Sequence, residues 1–184
     1  LRGCEEILVK FPGGPAAPHA AFYRATALSR LRGREPEASQ AFRRFLEVYP
    51  GEKVLVEEAW AGLITISCAP RGPSTAGCAG LLREGLASPS RYVSTLAAIR
   101  ASDVRDDELR RLALLTLKKS YADQTEPDIR DEILIAILKI DPRQVPPPGP
   151  PGSPSPRPLA AGKKKSPTLI RMTVFNKAEK RYEV

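Results

Sequence analysis

His19 is the only histidine in this 184-residue chain. Any Ser-His-Asp or Cys-His relay for nucleophilic catalysis would therefore have to pass through it. It sits in the connector "GGPAAPHAA", and the plainer reading is a solvated loop residue at a helix start. No glycine loop is suited to cradle a phosphate, because "GGPAAP" lacks both the spacing and the Lys-Ser/Thr pair of a P-loop. The carboxylate pairs Glu57, Glu58 and Asp106, Asp107 fall near the starts of helical stretches, where the helix dipole favours negative charge. The expectation is a protein that is not an enzyme, with no catalytic residue and no cofactor.

The cysteines carry more. A structural zinc site needs four ligands, whereas Cys4, Cys68, Cys78 and the distant His19 form no such pattern, so no metal is expected. Cys68 and Cys78 flank the nine-residue loop "APRGPSTAG". A disulfide closes that loop in an oxidising compartment, and two partly buried free thiols are the alternative. Two readings also stand at Cys4. "LRGC" has the Leu-x-Gly-Cys form found at the lipidated cysteine of bacterial lipoproteins, yet Arg2 is awkward there. Leu1, Cys4, Leu8 and Phe11 also fall on one helical stripe. Membrane contact follows only if Cys4 is lipidated. The chain begins at Leu1 rather than at a methionine, as a processed or truncated product does.

The net charge of +8 is unevenly placed. From residue 143 onward there are nine Lys or Arg against Glu179 and Glu183, which gives that segment +7 and leaves +1 for the rest. Ten of the nineteen prolines lie between Pro142 and Pro167, so this stretch is expected to be an extended, polyproline-like linker rather than helix or central strand. Three regions result: a body over 1–141, a basic Pro-rich linker over 142–167, and a tail over 168–184. In the tail, "TLIRMTVFN" reads as one strand, apolar on both faces and too short to fold alone.

The body has to be built from helices. "AAFYRATALSRL" and "EASQAFRRFLEVY" each put their apolar residues on one stripe at helical spacing. Between them Gly33 suits a left-handed residue at a helix end, and Pro36 falls in the next helix's first turn, where its missing N–H costs little. "EEAWAGLITI" reads as another helix, followed by a loop through "SCAPRGPSTAGCAG". Further helices are expected over 90–100, 106–120 and 127–140. Their starts are signalled by Ser88 or Ser90, by Ser102 or Asp103, and by Thr125 with Asp128.

The stretch "AFYRATALSRLRGREPEASQAFRRFLEVYP" resembles a tetratricopeptide repeat. Phe22 falls at the first aromatic position, Ala25 and Thr26 at the usual Leu-Gly pair, and Ala38 at the small crossing residue. Phe42 and Phe45 fall at packing positions and Pro50 at the terminal proline. "CEEILVKFP" then corresponds to the second helix of a preceding repeat, and "VEEAWAGLITI" to the first of a following one, with Trp60 in its aromatic slot. The likeness extends to repeats of bacterial envelope proteins of the outer-membrane assembly lipoprotein type, and the second half is weakly similar to HEAT helices.

The fold class expected is therefore all-α, a tetratricopeptide-like stack of antiparallel hairpins. The resemblance implies a protein-protein interaction scaffold in the periplasm or at the outer membrane of a bacterium, binding a peptide or partner protein on its helical surface. A cytoplasmic location is the alternative. The rival function is binding of nucleic acid or another anionic surface through the basic tail, by Lys163, Lys164, Lys165 and Arg171.

Overall fold

The computed structural model describes residues 1–68 and 75–144. Among these residues the protein is all helix, with eight elements: α1 (Arg2–Lys10), α2 (Ala17–Ser29), α3 (Glu35–Val48), α4 (Lys53–Ser67), α5 (Thr75–Leu86), α6 (Arg91–Ala101), α7 (Asp107–Asp123) and α8 (Pro127–Ile140). No helix among them is long and apolar enough to cross a membrane.

Each helix packs against its chain neighbour, and the even-numbered helices also touch one another in the order α2, α4, α6, α8. Helices two apart in sequence therefore form one row, while α5 and α7 touch on the opposite side. This is compatible with a helical-repeat fold. The chain reverses at each helix end by a local device. Gly33, at φ 82°, takes the left-handed conformation three residues beyond the C-cap of α2, and Pro36 stands in the first turn of α3. Tyr49 caps α3 with its N–H donating to the Phe45 carbonyl, and Pro50, having no N–H, stops the helix there. Phe11 before Pro12 closes α1 in the same way, donating to the Ile7 carbonyl.

Several helix starts differ from the sequence expectation. Ser90 does cap α6, accepting from the Val93 N–H. The cap of α7 is Asp106 rather than Ser102 or Asp103, because its carboxylate reaches the Leu109 N–H at 2.9 Å. At α8 the Thr125 side chain makes no cap, and the Gln124 side-chain oxygen accepts from the N–H groups of Thr125 and Glu126. The expected loop through Gly80 is also too long, since α5 begins at Thr75. Two glycines and a cysteine hid its apolar stripe, yet Cys78, Leu81 and Leu82 are buried on it.

One core runs from α2 to α8. Its aromatic centre is Phe22, whose ring meets Phe42 at 6.1 Å and Phe45 at 5.9 Å, both edge-on. Such pairs add about 0.5–1.5 kcal/mol beyond the area they bury. Phe42 reaches across to Gly62 of α4, where a Cβ would lie 2.6 Å from the ring. At the far end Arg130 is buried with its guanidinium 4.4 Å over the Tyr121 ring.

Candidate interaction face on the even-numbered helices

The row of even-numbered helices carries half-buried residues that are far apart in sequence. α4 supplies Glu57 and Glu58, α6 supplies Tyr92, and α8 supplies Glu132. Each helix is set by a different local rule. α4 is held by the burial of Ala59, Leu63 and Ile64, and Glu57 and Glu58 of the same helix are half-buried. α6 is fixed by the Ser90 cap, and the Ser90 hydroxyl also donates to Glu57 Oε1 at 2.6 Å. That bond ties the start of α6 to the second turn of α4. α8 is held by Arg130, Ile133, Ala136 and Ile137, and Glu132 stands half-buried beside that stripe.

The three carboxylates act on Tyr92. Burial raises its hydroxyl, and the neighbouring charges of Glu58, Glu57 and Glu132 raise it further, up to about 12. Burial likewise pushes Glu58 above the ordinary carboxylate range. Glu132 is raised by burial and by Asp128 on the same helix, while the Arg100 guanidinium opposes the shift. Negative charge is thus concentrated where part of its hydration has been removed. A cation brought to this face would regain for the carboxylates some of the stabilisation that water no longer supplies. Tyr92 itself is partly buried against the core.

Sequence reasoning placed Glu57 and Glu58 at a helix start. In the structure α4 begins at Lys53, so they lie in its second turn, clear of the terminal N–H groups. Tyr92 was not singled out at all. The signal that could have found it is the order of the helices, because alternate helices α4, α6 and α8 touch in turn and carry Glu58, Tyr92 and Glu132.

The other singled-out residues are placed as follows. Phe22, Ala25, Ala38, Phe42 and Phe45 are buried, Trp60 is half-buried against the same core, and Pro50 is exposed. Cys68 and Cys78 are joined by a disulfide, with Cα atoms 5.1 Å apart. Cys4 is a free, half-buried thiol within α1, while Leu1 and Phe11, the ends of its proposed stripe, are exposed. His19 is not a loop residue: α2 starts at Ala17 with Pro18 in its first turn, and His19 is half-buried in that turn. Lys163, Lys164, Lys165, Arg171 and the expected tail strand lie outside the described residues, as does nearly all of the Pro-rich linker.

Among the described residues no group of three His, Cys, Asp or Glu is placed to hold a metal ion. The chain finds no match among protein-family models, curated proteins or solved structures.

Proposed function

We propose that this protein is a tetratricopeptide-like interaction scaffold that binds an extended basic segment of a polypeptide on its even-helix face. The observation that carries the reading is the packing of α4, α6 and α8 in one row, which bonds Glu57 to the Ser90 hydroxyl at the start of α6 at 2.6 Å and lets the charges of Glu57, Glu58 and Glu132 act on Tyr92. Several carboxylates near an aromatic residue are a chemistry that recognises Lys or Arg. The row of α2, α4, α6 and α8 supplies the length over which several side chains of an extended peptide can be read.

Location in a bacterial envelope is part of the same proposal. The Cys68–Cys78 disulfide supports it, because such bonds persist in oxidising compartments such as the periplasm. The test is a fluorescence-anisotropy titration of the folded chain with three synthetic peptide pools, Lys/Arg-rich, neutral and Glu-rich, repeated with Glu58→Lys and Glu132→Lys. Selective binding of the basic pool, weakened at least tenfold by either reversal, is expected. Binding that ignores peptide charge, or that survives both reversals, refutes the reading.

A further inference from the structure

We infer that the Cys68–Cys78 disulfide is a thiol-exchange site, opened at Cys68 by a dithiol reductant, and that it latches the first half of α5. The two sulfurs are placed unequally. Cys68 is the C-cap of α4 and is half-buried. Cys78 is the fourth residue of α5, 6% exposed and part of the core with Leu81 and Leu82. A thiolate attacks one sulfur of a disulfide in line with the S–S bond, opposite the sulfur that leaves. Attack at Cys68 Sγ therefore comes from the more open side and drives the leaving Cys78 Sγ toward the core, whereas attack at Cys78 would need the reductant inside it. Negative charge then develops on Cys78 in the first turn of α5, where the helix dipole favours it and offsets part of what burial costs a thiolate. At Cys68 the C-terminal end of α4 would oppose it.

The exchange balances with a dithiol as the co-reactant. Its first thiolate forms a bond to Cys68 Sγ, and the Cys68–Cys78 bond breaks with its electron pair on Cys78 Sγ, which takes a proton from water. The second thiol of the reductant then displaces Cys68, so the dithiol leaves as a disulfide and both cysteines end as thiols. The consequence falls on α5, which is held unequally along its length. Its second half is fixed by Leu81 and Leu82 in the core, by Arg83 Nη2 donating to Asp106 Oδ2 at 2.7 Å, and by Gly85, where a Cβ would lie 2.8 Å from the Ala97 methyl. Of residues 77–80 only Cys78 is buried, and Gly77 and Gly80 are poor helix formers. With the bond cut, the first half of α5 loses its covalent hold and unwinds as far as Gly80, while Leu81 onward stays packed. A reductant thereby changes one end of one helix without melting the array.

The test uses the full chain with its free thiol, Cys4, alkylated beforehand by iodoacetamide, which leaves the disulfide intact. After brief exposure to reduced glutathione, a monothiol, acid quenching and peptide mass mapping are expected to find glutathione on Cys68 over Cys78 by at least about tenfold. Hydrogen exchange of the same protein in dithiothreitol, set against the oxidised form, should show the amides of residues 75–80 losing protection at least about tenfold while α6 and α7 keep theirs. Glutathione on Cys78, or on both cysteines equally, overturns the exchange site. No adduct, or one that forms only as urea unfolds the chain, does the same. Protection lost evenly over the body, or lost nowhere, overturns the latch.

Discussion

Gly62 and Phe42 make the sharpest test of how the first hairpin is joined to the second. A Cβ at position 62 would lie 2.6 Å from Phe42 Cζ and 2.9 Å from Cε2. Ordinary carbon contacts are about 3.5–4.0 Å, so the ring would have to retreat by about 1 Å. It has little room, because Phe42 is 2% exposed and stands edge-on to Phe22. Overpacking of this kind costs about 1–3 kcal/mol. Against it, Ala is better than Gly inside a helix by about 0.8–1.0 kcal/mol. Gly62→Ala should therefore be destabilising by up to about 2 kcal/mol, although helix propensity alone predicts the opposite sign. In a Phe42→Leu background the ring is gone, and the same substitution should stabilise by about 1 kcal/mol. The coupling between the two sites is then about 1–3 kcal/mol, read by urea denaturation of the four proteins of the cycle. A stabilising Gly62→Ala in the parent, or equal effects in both backgrounds, refutes the contact and with it the packing of α3 on α4.

Three further outcomes follow from other parts of the molecule. The Cys68–Cys78 bond closes a short loop, sequence separation 10, so reduction or Cys68→Ser with Cys78→Ser should cost about 2–3 kcal/mol of stability in thermal melts; three free thiols in the untreated protein would contradict the bond. Thr95 and Ser120 share a buried hydroxyl contact at 2.7 Å between α6 and α7. Ser120→Ala should cost about 1–3 kcal/mol by stranding Thr95, while Thr95→Val with Ser120→Ala should be nearly neutral by denaturant titration. Finally, the raised carboxyls of Glu58 and Glu132 stabilise the fold fully only below their unfolded values, and that contribution is lost as pH rises through the folded ones. Asp106, held low by the Leu109 N–H and by Arg83, works the other way and withdraws stability only at lower pH. Melting temperature should therefore rise as pH is lowered from 7 into the upper carboxylate range and fall below it. Glu58→Gln with Glu132→Gln should remove the rise.

Much of the body was readable because helical periodicity depends on the identities of a few large residues. Phe42 and Phe45 lie on one stripe with Ala38, and Arg43 and Arg44 stand on the exposed side, as the spacing alone requires. Proline made two helix ends plain as well, after Phe11 and after Tyr49. What was hidden depended on small or polar groups acting through contacts. The stripe of α5 rests on Cys78, Leu81 and Leu82 between glycines whose presence suggested a loop. Gly85 in that helix is itself a packing residue, since a Cβ there would sit 2.8 Å from the Ala97 methyl. The caps of α7 and α8 were misassigned because the side chains are spoken for by contacts the sequence does not show: Ser102 donates back to the Ile99 carbonyl, Asp103 pairs with Lys139, and Gln124 takes the N–H groups ahead of α8.

The proposed interaction face was the least readable part, and the reason is physical. Its members are 34 and 40 residues apart, from Glu58 to Tyr92 and from Tyr92 to Glu132, and none has a distinctive neighbour in sequence. What marks them is the mutual disadvantage that the fold imposes. Half-buried carboxylates of one sign around a desolvated tyrosine weaken the folded state, and replacing either raised glutamate by glutamine should relieve it. Local conflicts of this type are expected where a surface is shaped by what it binds rather than by what holds it together. The same two substitutions should therefore raise stability at neutral pH and lower affinity for a basic peptide. A variant that gained stability without losing affinity would separate the two effects and assign the carboxylates no part in recognition.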